Sequence, residues 1–158
     1  MGLALSEMQL ASTAFEEAGM IPARHSGEGP DVSPALTWTK VPDGTESFAV
    51  FCHDPDAPLI TPGQYGFVHW VLYGIPGNVR SLDEGSTMYV QGTNDFGTAG
   101  YAGPMPPPGH GTHRYFFWLL ALRSHPALDP GLGLWSVLEA VEPEVIAMNR
   151  RMGCYRRR

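Results

Sequence analysis

The 158-residue chain has little cysteine and little charge. Its two thiols, Cys52 and Cys154, are too few and too far apart for a zinc motif or a disulfide framework. Two free thiols in a reducing compartment are the expectation. Charged residues make up 16% of the chain against 43% hydrophobic residues, which excludes a disordered polyelectrolyte. No window of eighteen apolar residues exists, so no membrane-spanning helix and no stable membrane insertion are expected. Met1 to Leu10 lack a basic region followed by a long apolar run, which reads as a chain without a secretory signal, placed in the cytoplasm. Catalytic signatures are missing too: there is no H-E-x-x-H, H-x-H or paired C-x-x-C spacing and no G-x-S-x-G elbow.

All sixteen acidic residues precede Arg150, whereas Arg150, Arg151, Arg156, Arg157 and Arg158 are half of the ten basic ones. An acidic body of this kind is unsuited to gripping phosphates of nucleic acid, so no nucleic-acid partner is expected. The C-terminal arginines read as a solvated run.

Glycine and proline are abundant, at 19 and 15 residues. That density interrupts helices too often for a bundle and favours strands joined by structured loops. Turn residues recur every few positions between Met8 and Lys40, so strands there must be short. Beyond them lie three apolar runs: Phe48–Cys52, Phe67–Tyr73 and Tyr115–Leu122. Glycine or proline bounds each, and none alternates cleanly with polar residues. They read as adjacent central strands covered on both faces, with Trp70 and Trp118 buried. One segment has helical spacing, through Val137, Leu138, Val141, Val145, Met148 and Met152. Ser136 and Glu139 have the spacing of a capping box at its start, and Pro143 should divide it into two short helices. A single mainly-β domain results.

Titratable groups gather at the ends of the three runs. The first leads into His53-Asp54-Pro55-Asp56-Ala57-Pro58, the second contains His69, and His113-Arg114-Tyr115 opens the third. Two prolines should hold Asp54 and Asp56 in a rigid turn. The two-residue strand period places His69 on one face with Phe67, Val71 and Tyr73, where its imidazole needs a partner, most naturally a carboxylate. Pro104-Met105-Pro106-Pro107-Pro108 should run extended as a stiff wall. Pro104 and Pro107 also give a P-x-x-P pattern, but they lie between strands and not in a free tail. Cys52 and His53 are neighbours on a strand and face opposite ways, so they form no dyad, and Cys52 reads as a buried structural thiol.

These segments, in this order, resemble the phosphatidylethanolamine-binding proteins, in particular their bacterial and archaeal Raf-kinase-inhibitor-like branch. The carrying motifs are Ser33-Pro34-Ala35-Leu36-Thr37-Trp38, Asp54-Pro55-Asp56-Ala57-Pro58 and His69-Trp70-Val71-Leu72-Tyr73-Gly74-Ile75-Pro76. They continue in Asn94-Asp95-Phe96-Gly97, Gly100-Tyr101-x-Gly103-Pro104, His113-Arg114-Tyr115 and Gly153-Cys154-Tyr155-x-Arg157. The resemblance implies a large central sheet flanked by a smaller sheet on one side and a few short C-terminal helices on the other. It also implies an anion pocket made by Asp54, Asp56, His69, Pro104, His113 and Tyr115, taking phosphate, phosphoethanolamine or a carboxylate. The chain departs from the family's pattern at His53, Leu59 and Phe67, and the loop from Pro58 to His69 is shorter than in the eukaryotic branch by about one residue.

The leading reading is therefore a binding protein without cofactor or metal. It takes a small anion or phospholipid head group and has a regulatory or inhibitory role toward a kinase or protease partner; a homodimer is left open. Within the pocket, His69 and His113 are expected to donate to the anion while Asp54 and Asp56 orient them. The rival is a metal-dependent hydrolase using the same His and Asp cluster. An acidic body and a helical stretch carrying Glu139, Glu142 and Glu144 offer no second anchoring signal beside the arginines. In sedimentation with anionic vesicles at physiological salt, the protein should stay in the supernatant. Most of it pelleting, with the effect lost on deleting Arg156 to Arg158, would contradict this.

Overall fold

The computed structural model describes residues 5–57 and 65–158; Leu59 falls outside them, and the segment whose length departs from the eukaryotic branch's falls partly outside them. The early strands are short: β1 is Gln9–Ala11, β2 Leu36–Thr39 and β5 Ser81–Leu82. They form an antiparallel sheet in the order β1-β2-β5. The apolar runs lengthen into β3 (Ser47–Asp54), β4 (Phe67–Pro76) and β7 (His113–Leu122). With β6 (Val90–Gln91) and β8 (Val145–Tyr155), they make a second antiparallel sheet, in the order β6-β4-β3-β7-β8. The three apolar runs are thus adjacent and central, as their lack of polar alternation predicts.

Two cores explain why these strands are apolar on both faces. Phe48, Val50, Cys52, Trp70, Leu72, Phe117 and Leu119 meet Leu10, Leu36, Trp38 and Leu82 of the small sheet. On the opposite face, Ala49, Phe51, Val71, Tyr73, Leu120 and Leu122 pack under Val137 and Val141. These last two belong to the one α-helix among the described residues, α1 (Leu134–Val141). No helix among those residues is long and apolar enough to cross a membrane.

The C-terminal region departs from the sequence-based expectation in three ways. First, α1 begins at Leu134 behind Gly133, which offers no side-chain cap. Ser136 therefore lies inside the helix, and with Glu139 it forms no capping box. The apolar stripe Leu134, Val137, Leu138 and Val141 sets the start instead, since it is what the sheet buries. Second, Pro143 ends α1 in a 3-10 turn, Glu142–Glu144, and no second helix comes after it. Val145 to Tyr155 run as β8, paired with β7 from His113↔Tyr155 to Leu122↔Val145. Val145, Met148 and Met152 fit a helical period, but Val145, Ala147, Gly153 and Tyr155 are buried at alternate positions. The unpaired edge of β7 decides between the two patterns, because its backbone groups need partners. Third, Trp118 is only half-buried: α1 covers one side of it, and the Arg150 guanidinium lies 5.2 Å above its ring. Trp70 is buried, at 1% exposure.

The outer edge of β8 is closed by the N-terminal segment. Ser6 N–H donates to Met148 O, Ala18 N–H to Met152 O and Ile21 N–H to Cys154 O, each at 2.8 Å. The C-terminal arginines are not a free run either: Arg150 and Arg151 are strand residues, and Arg151 Nε donates to Leu10 O.

Phe117 is fully buried against the Phe15 ring, 5.5 Å away. Replacing it with alanine should cost about 3–5 kcal/mol of unfolding free energy, read from urea denaturation. Trp118→Ala should cost clearly less. Equal losses would contradict the asymmetry of the two faces.

Candidate functional site

One backbone irregularity builds the site. Along β3 and β4, Cys52 pairs with Trp70 and His53 pairs with Val68, so His69 is an extra residue opposite their junction. Such a bulge turns two successive side chains to the same side. His69 consequently shares the inter-sheet face with Trp70, its ring 5.2 Å from that of Tyr115. The two-residue period therefore fails here: Phe67 remains a neighbour at 4.8 Å, but Val71 and Tyr73 lie in the core on the other face.

Asp54, the last residue of β3, points to that same face, and β7 brings His113 and Tyr115 beside it. Asp54 is 2% exposed and His113 is equally buried. The His113 Nδ1–H donates to Asp54 Oδ2 at 2.8 Å. The other Asp54 oxygen accepts the Asp56 N–H at 2.8 Å, closing the turn that Pro55 stiffens. On its far side, His113 Nε2 shares a hydrogen with His110 Nδ1 at 2.7 Å. A hydrogen-bonded chain thus runs from buried Asp54 through His113 to exposed His110. Tyr115 adds a phenol whose pKa is pushed well up, first by burial and then by the charge of Asp54.

The partner of His69 is not a carboxylate. Its Nδ1 lies 2.7 Å from Ala102 O; a carbonyl only accepts, so Nδ1 carries the hydrogen. Burial lowers the pKa of the ring, against the opposing pull of the Ala102 bond and of Asp54, Asp31 and Asp95. Neutral His69 therefore presents a bare lone pair at Nε2, which has no partner among the described residues. Nor is that atom sealed in: among the described side chains, only Arg157 Nε is buried without a hydrogen bond.

These groups open onto a cavity of about 240 Å³ lined by Asp54, Phe67, His69, His113, Tyr115 and the wall residues Ala57, Phe96, Met105, Pro106 and Pro107. Pro104 is buried behind that wall, where its carbonyl accepts the Gly27 N–H. Asp56 is also outside the lining. Its two oxygens are held by Arg114 through Nε and Nη2, both at 2.8 Å, and by the Arg114 N–H at 2.9 Å. The guanidinium keeps the Asp56 carboxyl below its usual range. Four of the six residues the sequence nominates thus line the cavity, while Asp56 and Pro104 hold its walls. His53 faces away, lining a separate apolar cavity of about 290 Å³ between the sheet and α1. Cys52 is buried in the inter-sheet core, and burial pushes its thiol pKa up.

The wall is anchored from three directions. Gly103 N–H donates to Asp31 Oδ1 at 2.7 Å, and a Cβ at Gly103 would fall 2.0 Å from His25 O, so no other residue fits. Arg157 reaches Pro106 O through Nη1, and its own carbonyl accepts the Gly109 N–H. Buried Asn94 accepts the Phe96 and Thr98 N–H groups and donates to Gly100 O, shaping the loop that carries Phe96. The sequence does not single out Phe96, which lines the cavity, or His110 and Arg157, which hold His113 and the wall from outside it. For His110 the available signal was its three-residue step to His113, with Gly109 and Gly111 at positive φ curling the loop back.

The rival hydrolase finds no ligand set here: among the described residues no group of three or more His, Cys, Asp or Glu side chains is arranged to hold a metal ion. The model of the phosphatidylethanolamine-binding protein family matches residues 11–156. A UPF0098 protein of Methanothermobacter thermautotrophicus is 42% identical, over 95% of this chain and 99% of its own. Another from Aquifex aeolicus is 40% identical, over 95% and 89%. Among solved structures, a phosphatidylethanolamine-binding protein homologue of Chlamydia trachomatis superposes with a TM-score of 0.89 at 34% identity, covering 96% of this chain and 98% of that one. Escherichia coli YbcL gives 0.88 at 33%, covering 97% and 100%. The chain belongs to the phosphatidylethanolamine-binding protein family and has its fold.

Because the fold favours neutral His69, the unfolded chain binds more protons as pH falls below about 6.5, the ordinary imidazole value. The stability due to this residue is full above that value and is lost as pH drops from there toward the lowered folded pKa, by at most about 1.4 kcal/mol per pH unit. Urea titrations from neutral to acidic pH should therefore show a shallower decline in His69→Phe than in the wild type. Parallel declines would contradict a neutral His69.

Proposed function

We propose that the chain binds a small anionic group, of the phosphate or phospholipid-head-group kind, in the cavity of Asp54, His69, His113 and Tyr115. The observation that carries this reading is the hydrogen-bonded chain from buried Asp54 through buried His113 to exposed His110, beside a cavity with stiff apolar walls. Asp54 fixes the His113 ring so that Nε2 faces outward. His110 sits on an exposed loop, and once that nitrogen carries a hydrogen of its own, at mildly acidic pH, a ligand oxygen can take the place of His110 and accept it. A volume of about 240 Å³ suits a head group and falls below the roughly 300–1,000 Å³ of drug-sized sites, so acyl chains stay outside. Asp56, Arg114 and Pro104 act as positioning residues.

A regulatory role toward an enzyme partner, a kinase or a protease, is part of the same proposal. It is supported at the level of fold by likeness to a carboxypeptidase Y inhibitor solved with its proteinase, at a TM-score of 0.54 and 17% identity. Two free thiols, Cys52 and Cys154, support a cytoplasmic setting.

Titration calorimetry with phosphoethanolamine at mildly acidic pH should give saturable one-to-one binding. His113→Ala should weaken it about tenfold or more, as loss of a charge-assisted hydrogen bond does. Equal affinity in the variant, or no saturable binding by the wild type, would overturn the assignment.

A further inference from the structure

The hydrogen-bonding inventory of the cavity is lopsided. Its wall contributes prolines at positions 106 and 107, which have no N–H to give an anion. Both Asp54 oxygens only accept, and both are already engaged. His69 is 3% exposed; Ala102 puts the hydrogen on Nδ1, and in the neutral ring that burial favours, the free Nε2 also accepts. A fully ionised oxyanion carries lone pairs alone. Against Nε2 of His69 it would set acceptor on acceptor in a desolvated place, which is costly. A ligand that keeps one hydrogen on an oxygen turns the same contact into a hydrogen bond.

Resting on the anion reading above, we propose that this cavity selects the singly protonated form of a phosphomonoester: His69 Nε2 accepts the ligand P–OH, while the His113–His110 end and the Tyr115 hydroxyl serve the ionised oxygens. His69 is then the residue that tells a hydrogen phosphate from a sulfate, which has no hydrogen to offer. Burial of the ring keeps it neutral against the carboxylates of Asp54, Asp31 and Asp95, whose fields oppose this. The other titratable or charged groups facing the cavity or holding its rim are His113, His110, Tyr115 and Arg157, the last on Pro106 O, with Asp56 and Arg114 paired outside it.

The test is a matched pair of ligands, phosphoethanolamine and ethanolamine O-sulfate, titrated calorimetrically into the whole chain. At about pH 5 both carry one ammonium and one negative charge, because phosphomonoesters lose their second proton only near pH ~6. They differ by a single O–H. The phosphate ester should bind about tenfold tighter or more, the penalty of one unsatisfied buried acceptor. Above pH ~6 that ratio should fall by up to about tenfold per pH unit, as the ligand loses its hydrogen. On the protein's side the ratio depends on His69, whose ring burial keeps neutral; protonation of that ring would lower the ratio on the acid side, whereas loss of the ligand hydrogen lowers it above pH ~6. In His69→Phe the ratio should collapse toward one while both esters still bind; if that variant does not fold, the wild-type ratio and its pH dependence decide alone. Equal affinities at every pH, or a preference for the sulfate, would overturn this inference and leave the anion reading standing. Failure of both esters to bind would overturn the two together.

Discussion

Between the Cys52–Trp70 and His53–Val68 pairs β4 carries one surplus residue, and that surplus governs the rest of the site. In a regular ladder His69 would lie on the face opposite Trp70, under α1 and away from Asp54. The bulge moves it to the inter-sheet face without moving Val71 or Tyr73 out of the helix-side core. Both cores therefore stay filled, while a polar side chain is admitted at the end of the sheet. An unpaired imidazole there would cost on the order of a hydrogen bond, and the Ala102 carbonyl supplies it. The tautomer of His69 is thus a consequence of strand register.

The remaining site geometry arises from the same need to satisfy buried polar groups. Asp54 is the end residue of a strand that is buried along nearly its whole length, so its carboxylate must find donors within reach. It finds the turn N–H of Asp56 and the ring of His113, and the two bonds fix both neighbours at once. Arg114 points outward from the next position of β7 and clasps Asp56, tying the turn to the strand. The proline wall makes few bonds of its own. It is held through Gly103, Asp31 and Arg157, and the last two come from parts of the chain far from the wall in sequence.

How far the sequence discloses this depends on how local each determinant is. The central strands are legible because apolar runs flanked by glycine and proline, with no polar alternation, suit only a strand covered on both sides. His69, His113, Tyr115 and Asp54 are legible as neighbours because they lie at the ends of three such strands. β8 is not: Val145, Met148 and Met152 fit a helical period, and only the vacant edge of β7, a tertiary fact, selects the strand. The face of His69 is hidden for a similar reason, since a bulge is a property of a pair of strands and leaves no mark in one. The capping box of Ser136 and Glu139 fails because burial of the stripe from Leu134 against the sheet starts the helix earlier than any cap would. The role of Asp56 as a brace was obscured by its likeness to Asp54, two positions away in the same turn.

The hydrogen bond from His113 to Asp54 spans 59 residues of chain, and the His69 bond to Ala102 spans 33. No short segment contains the cavity, because each wall is borrowed from a different part of the sheet. Occupancy and global folding are consequently one linked equilibrium: a ligand that takes the native cavity at a hundred times its dissociation constant adds about 2.7 kcal/mol to the stability of the entire domain. For a ligand that binds there, the chain's resistance to unfolding, and hence its lifetime against proteolysis, would become a readout of how much of that ligand surrounds it.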